Sequence, residues 1–191
     1  NQLSGGLSAV GVGQPVYLEA LVNIAIPASN AVTVNWVLTN RPIASAAVLA
    51  PSPLGTNVPP YRMADLLTLK VGSGMLLRPD ITGQYRVAAT ISATGSGSTN
   101  VALNISASTY MGVEVCKFCH SGGLSAPNIY VEWTNTLHAS FFTKAIDGLK
   151  SDHYGANCIY CHTVGYDTNT NAVNGGFDDV ATQLGWTFPL V

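Results

Sequence analysis

The sequence predicts a mixed fold: an all-β sandwich over residues 1–110, followed by a small, mainly helical and loop-rich module over 111–191. Three observations predict it. Apolar and polar residues alternate with period two up to about residue 108. Gly, Pro, Asn and Ser punctuate that alternation as turns do between short strands. All four cysteines and all four histidines fall between Cys116 and His162, in a stretch poor in strand signals.

With 191 residues and 47% hydrophobic content, the chain has enough apolar material to bury a core. Only 9% of residues are charged, against about 25% in an ordinary soluble domain, so solubility rests on neutral polar groups. A formal charge of -2 offers no basic field for phosphate, which argues against a nucleic-acid partner. No apolar run reaches the roughly 18 residues of a membrane span, so no transmembrane segment is expected. The start Asn1-Gln2-Leu3-Ser4 has neither an initiator Met nor an export signal, and reads as a mature, exported form.

In the first module, Val16, Leu18, Ala20, Val22, Ile24 and Ile26 are expected on one face of a strand, with Tyr17, Glu19 and Asn23 on the other. The alternation returns in Val32, Val34, Trp36 and Leu38, in Tyr85, Val87, Ala89 and Ile91, and in Val101, Leu103, Ile105 and Ala107. Strands of this kind cannot cover their apolar faces singly, so two sheets packed face to face are expected. Residues Asp80-Ile81-Thr82-Gly83-Gln84-Tyr85 resemble the Asp-x-Gly-x-Tyr corner of immunoglobulin-like and PKD-like domains. That resemblance implies a Tyr85 hydroxyl tied to an upstream backbone group. No cysteine stands at Val87 or on the early strands, so the likeness is architectural and implies no inter-sheet disulfide.

In the second module, Pro127 opens and Gly148 closes a stretch where Tyr130, Trp133, Leu137, Phe141 and Ala145 recur every three or four residues. One helix of some twenty residues is expected there, carrying His138. From Thr163 onward the chain reads as loop, with one helical turn around Asp178 to Leu184.

Cys116-Lys117-Phe118-Cys119-His120 and Cys158-Ile159-Tyr160-Cys161-His162 are both CxxCH, the attachment sequence of c-type haem. Two thiols three positions apart on a helical turn can each add to one porphyrin vinyl group, and the adjoining His then reaches the iron. A disulfide framework would explain four cysteines but not a His after each pair. Zinc is also ligated by Cys and His, and a thioredoxin-like redox pair would need a βαβ surround that is missing here. The favoured cofactors are therefore two haem c groups. Cys116, Cys119, Cys158 and Cys161 form the thioether bonds, and His120 and His162 are the proximal iron ligands. Two haems leave two further axial positions, and the remaining histidines, His138 and His153, are the candidate distal ligands. His138 on the first haem and His153 on the second is the preferred pairing, with the crossed arrangement open. Met63, Met75 and Met111 could supply thioether ligands instead, but are expected to pack in core or loop.

Trp133-Thr134-Asn135-Thr136-Leu137-His138-Ala139 resembles an element of multihaem cytochromes related to the cytochrome c554 group, in which that His is an axial ligand. His153 through Tyr166, followed by Gly175-Gly176-Phe177 and Gly185-Trp186-Thr187-Phe188-Pro189, resembles multihaem cytochromes of bacterial cell surfaces. These often carry an immunoglobulin-like or PKD-like module. Many such relatives continue with further CxxCH motifs, so this chain is either a short member or a piece of a longer one.

A six-coordinate haem has no open site for substrate, which points to electron transfer and not to an enzyme. The expected partners are redox proteins or extracellular electron acceptors, and the expected location is periplasmic, cell-surface or extracellular. The weakly charged β-module suggests a homo-oligomer or a nanowire-like filament. A dihaem peroxidase with one open haem, and a cell-surface binding module with accessory haems, are the alternatives. Because about 80 residues build a poor core alone, haem loss should unfold the second module.

Overall fold

A computed structural model describes residues 1–22, 31–57, 69–122, 126–151 and 153–189. The expectations for Asn23, Ile24, Ile26 and Met63 lie outside the described residues. Among the described residues the chain is mainly β. Its strands are β1 (Gln2–Ser4), β2 (Ala9–Gly11), β3 (Val16–Val22), β4 (Val32–Asn40), β5 (Leu49–Asn57), β6 (Leu69–Leu77), β7 (Gly83–Ala93) and β8 (Gly97–Ser108). They form two four-stranded sheets, ordered β1-β3-β6-β5 and β2-β8-β7-β4. Every pairing is antiparallel except that of β2 with β8.

Alternation explains which face each strand buries. Val16, Leu18, Ala20 and Val22 of β3 are buried, and Tyr85, Val87, Ala89 and Ile91 of β7 are buried opposite them. Val16, Leu18 and Leu77 share one apolar cluster with Tyr85, Val87 and Ile105. Ala20, Val22 and Val71 share another with Ala89 and Ile91. Each large side chain so buried contributes roughly 1.5–3 kcal/mol, and together they hold the two sheets face to face. Half-buried Trp36 on β4 adds a directed contact, since its Nε1 donates to the Ser73 carbonyl on β6 at 2.8 Å.

The corner before β7 is anchored by Tyr85, which is fully buried. Its hydroxyl lies 2.9 Å from the Ile81 carbonyl and 3.0 Å from Asp80 Oδ1, two acceptors that share its one proton. Burial pushes the Asp80 carboxyl up, but hydrogen bonds from the Ser45 hydroxyl, the Ala46 N–H and Tyr85 outweigh it and hold the group below the ordinary carboxylate value.

The chain divides into two compact units, Asn1–Ser108 with Asn169–Ala172, and Thr109–Thr168 with Val173–Val191. Segment 169–172 belongs with the β unit because Gly13 lacks a side chain where Asn171 and Ala172 pass. A Cβ there would stand 2.6 Å from the Asn171 carbonyl oxygen. Both apolar clusters consist of residues from 1–108.

The second unit corrects the expected fold class, because it is not a mainly helical module. Its helices are short: α1 (Glu114–His120), α2 (Tyr130–Thr134), α3 (Leu137–Ile146), α4 (Ile159–His162) and α5 (Phe177–Leu184), with a 3-10 turn over Ala156–Cys158. The expected twenty-residue helix is broken between α2 and α3. The Thr134 and Thr136 hydroxyls donate to the Val131 and Trp133 carbonyls at 2.9 and 2.7 Å, and Asn135 Nδ2 donates to Val131 at 3.0 Å. These side chains capture carbonyls that a continuous helix would use. Thr136 then caps α3, its hydroxyl accepting from the Ala139 N–H at 3.2 Å. The break also turns the predicted apolar face, leaving Leu137 and Phe141 exposed while Tyr130 and Ala145 are buried.

No helix among the described residues is long and apolar enough to cross a membrane.

Candidate functional site

The first CxxCH motif occupies the body of α1. Glu114 stands in its first turn and Lys117 and His120 in its last, each on the side the helix dipole favours. α1 is joined to α2 at two points. The Ile129 N–H donates to the His120 carbonyl at 3.1 Å, and the Tyr130 hydroxyl donates to Glu114 Oε1 at 2.6 Å. That bond to a carboxylate, followed by desolvation, holds the Tyr130 phenol above its ordinary value. Between α1 and α2 lies a cavity of about 170 Å³, lined by Val113, Cys116, His120, Ile129, Tyr130 and Trp133. His120 Nδ1 is buried and has no hydrogen-bond partner among the described residues. A buried, unsatisfied nitrogen is costly, and in a native protein it calls for a reason.

The second motif is built on a tighter scaffold. The 3-10 turn delivers Cys158 to the start of α4, which carries Cys161 and His162. Buried Ile159 anchors that turn, and the Thr163 hydroxyl donates back to its carbonyl at 2.8 Å. The His162 ring stacks on Phe142 of α3, with centroids 5.3 Å apart and planes inclined by 18°.

Beside His162 runs a groove of about 490 Å³, whose lining includes Tyr110, Met111, Cys161, His162, Val164, Gly176 and Phe177. Its back wall depends on glycine. A Cβ on Gly165 would stand 2.5 Å from the Tyr110 ring, and one on Gly175 would stand 2.6 Å from the Tyr110 carbonyl oxygen. Asn174 and Asp179 fix this wall. Fully buried Asn174 accepts from the Gly176 N–H at 2.9 Å, and Asp179 accepts from the Asn174 and Gly175 N–H groups at 2.7 and 2.8 Å. The Phe177 N–H closes it by donating to the Val164 carbonyl at 3.0 Å.

No protein-family model, curated protein or solved structure matches this chain.

All four thiols are free, with Cys116 and Cys161 exposed and Cys119 and Cys158 half-buried. Among the described residues no three Cys, His, Asp or Glu side chains converge as the ligands of a bare metal ion would. His138 is exposed in the first turn of α3, and His153 is exposed in the loop before the second motif. Neither borders either cavity. The His153 ring meets Tyr154 edge to face at 5.3 Å, and Tyr154 meets Phe141 of α3 at 5.6 Å. A link of three rings thus joins His153 to the helix that carries His138.

Met75 is half-buried against the β core, whereas Met111 is exposed and borders the second groove. Sequence reasoning missed the role of Phe142, the cage around Asn174 and the glycine wall. The Gly165, Gly175 and Gly176 positions stood inside the quoted resemblance, but only the folded chain gives their steric reason.

Proposed function

We propose that this chain is a dihaem c-type cytochrome that transfers electrons. The observation that carries the reading is that both CxxCH motifs lie on short helical turns with free thiols, and each has its proximal histidine bordering an apolar cavity. Haem supplies reversible one-electron chemistry when bound. Cys116 and Cys119 would hold one haem and Cys158 and Cys161 the other, with His120 and His162 as proximal ligands.

Burial in the second unit supports the same reading. Tyr130, Ala145, Ile146 and Ile159 are its buried hydrophobic side chains among the described residues, while Val113, Phe118, Val131, Val164 and Leu184 are exposed. So many exposed apolar groups in so small a unit call for an apolar partner, which bound porphyrin would supply. Bare zinc is less well served, because the Cys and His side chains do not converge.

His138 and His153 are the proposed distal ligands, bis-histidine ligation would suit an electron carrier, and covalent haem attachment would place it in the periplasm, at the cell surface or outside the cell. A second reading concerns one ligand: Met111 borders the groove that holds His162, so a thioether could take the distal position there. Assembly into a homo-oligomer or filament is part of the proposal. β4 is a nine-residue strand at a sheet edge among the described residues, and it has neither charge nor proline, so it suits pairing with a second copy. Electron acceptors and redox partner proteins would meet the haem unit.

The test is a pyridine haemochrome count on the purified chain, with spectra of the ferrous form under carbon monoxide. Two haems per chain and no carbon monoxide adduct are expected. A colourless chain refutes the reading, and a carbon monoxide adduct favours an enzyme with an open haem. A far-red sulfur-to-iron band that disappears in Met111→Ala would establish the thioether ligand.

A further inference from the structure

The second proximal imidazole has an unusual support. His162 ends a four-residue helix and is exposed, and none of its ring nitrogens takes part in a hydrogen bond among the described residues. Rotation of an imidazole about its last bond is broad and roughly two-fold, so without a hydrogen bond its plane is set by whatever packs on it. What packs on it is Phe142, nearly parallel at 18° and 5.3 Å. Phe142 is itself held. It stands on the same face of α3 as Ala145 and Ile146, three and four residues later, and both of those are buried. Phe142 is half-buried there, whereas Phe141 is exposed and packs on Tyr154.

We infer that Phe142 is a positioning residue that fixes the plane of the His162 imidazole and so sets the electronic character of the second haem site. The inference rests on the dihaem reading. The plane of an axial imidazole decides which iron d orbital its π system overlaps, and this governs the anisotropy of a low-spin ferric signal. The first site has no such stack among the described residues: His120 is enclosed beside Ile129, Tyr130 and Trp133. The two haems should therefore be spectroscopically distinct, with only the second answering to Phe142.

The experiment is electron paramagnetic resonance, with redox titration, on the full haem-loaded chain carrying Phe142→Leu, Phe142→Met or Phe142→Tyr. Leu and Met remove the planar face while filling the space, and Tyr keeps it. The expected result is a shifted largest g value and a shifted midpoint potential for one of two haem signals in F142L and F142M, with both signals unchanged in F142Y. If F142L does not fold, F142M is read in its place. Unchanged signals in the folded Leu or Met variant overturn the inference, as does an equal shift in F142Y. A wild-type chain without haem overturns the dihaem reading itself, and this inference with it.

Discussion

Replacing Gly176 by Ala tests whether the wall behind the second motif is as tight as it looks. Gly176 has φ -71° and ψ -176°, a backbone any residue can adopt, so the substitution carries no conformational strain and its cost is steric. The new Cβ would stand 2.5 Å from the Gly165 carbonyl carbon and 2.7 Å from Gly165 Cα. Ordinary carbon contacts lie at about 3.5–4.0 Å, so two backbone segments must part by about 1 Å. Overpacking of this kind costs typically ~1–3 kcal/mol. For a unit with a urea m-value of roughly 2 kcal/mol/M, the unfolding midpoint falls by about 1 M.

Trp133 and Trp186 lie in this unit and Trp36 in the β unit, so the change in fluorescence is read against a Trp36→Phe background, and visible absorbance would report the proposed haems. The matched control is Gly155→Ala, three residues before Cys158. Nothing lies within 4 Å of its added Cβ, and it should stay within ~0.5 kcal/mol of the parent. If G176A keeps the parent midpoint and spectrum, or if G155A is as damaging, the steric argument for the wall is wrong.

Two further outcomes concern the β unit. Tyr85→Phe removes the hydroxyl that serves Ile81 and Asp80, and should lower stability by ~1–2 kcal/mol in urea unfolding without changing the spectrum of any haem the second unit carries. The Asp80 carboxyl is held below its ordinary value in the folded chain, so its contribution is present above the unfolded carboxylate pKa and is lost as pH falls through the folded one. Stability measured from pH 6 downward should therefore decline more steeply in the parent than in Asp80→Asn. The difference is small because Asp80 is exposed, and an Asn variant with the parent's acid slope would remove Asp80 from the account.

The legibility of this fold follows from the range of the interactions that decide each part. β3 and β7 were readable because Val16, Leu18, Ala20, Val22 and Tyr85, Val87, Ala89, Ile91 alternate, and burial in a two-sheet core follows that period. β5 was hidden by Pro51 and Pro53, tolerated because it is a sheet edge, and β6 by Gly72 and Gly74. The Tyr85 corner was legible because its partners lie four and five residues away. The single long helix was misread because its spacing was counted while the carbonyl-capturing Thr134, Asn135 and Thr136 were not.

At the candidate site the thiols and imidazoles stood out because CxxCH is a local constraint. Phe142 on His162, and Tyr110 against Gly165 and Gly175, are meetings of segments distant in sequence, and no local pattern announces them.

Mass spectrometry of the intact chain and of its proteolytic peptides, on protein made in a host that attaches c-type haem, tests the central claim most directly. The chain should carry the mass of two haems after denaturation, one on a peptide containing Cys116 and Cys119 and one on a peptide containing Cys158 and Cys161. Unmodified thiols, disulfides between those cysteines, or a stoichiometric zinc ion lost on denaturation would contradict it.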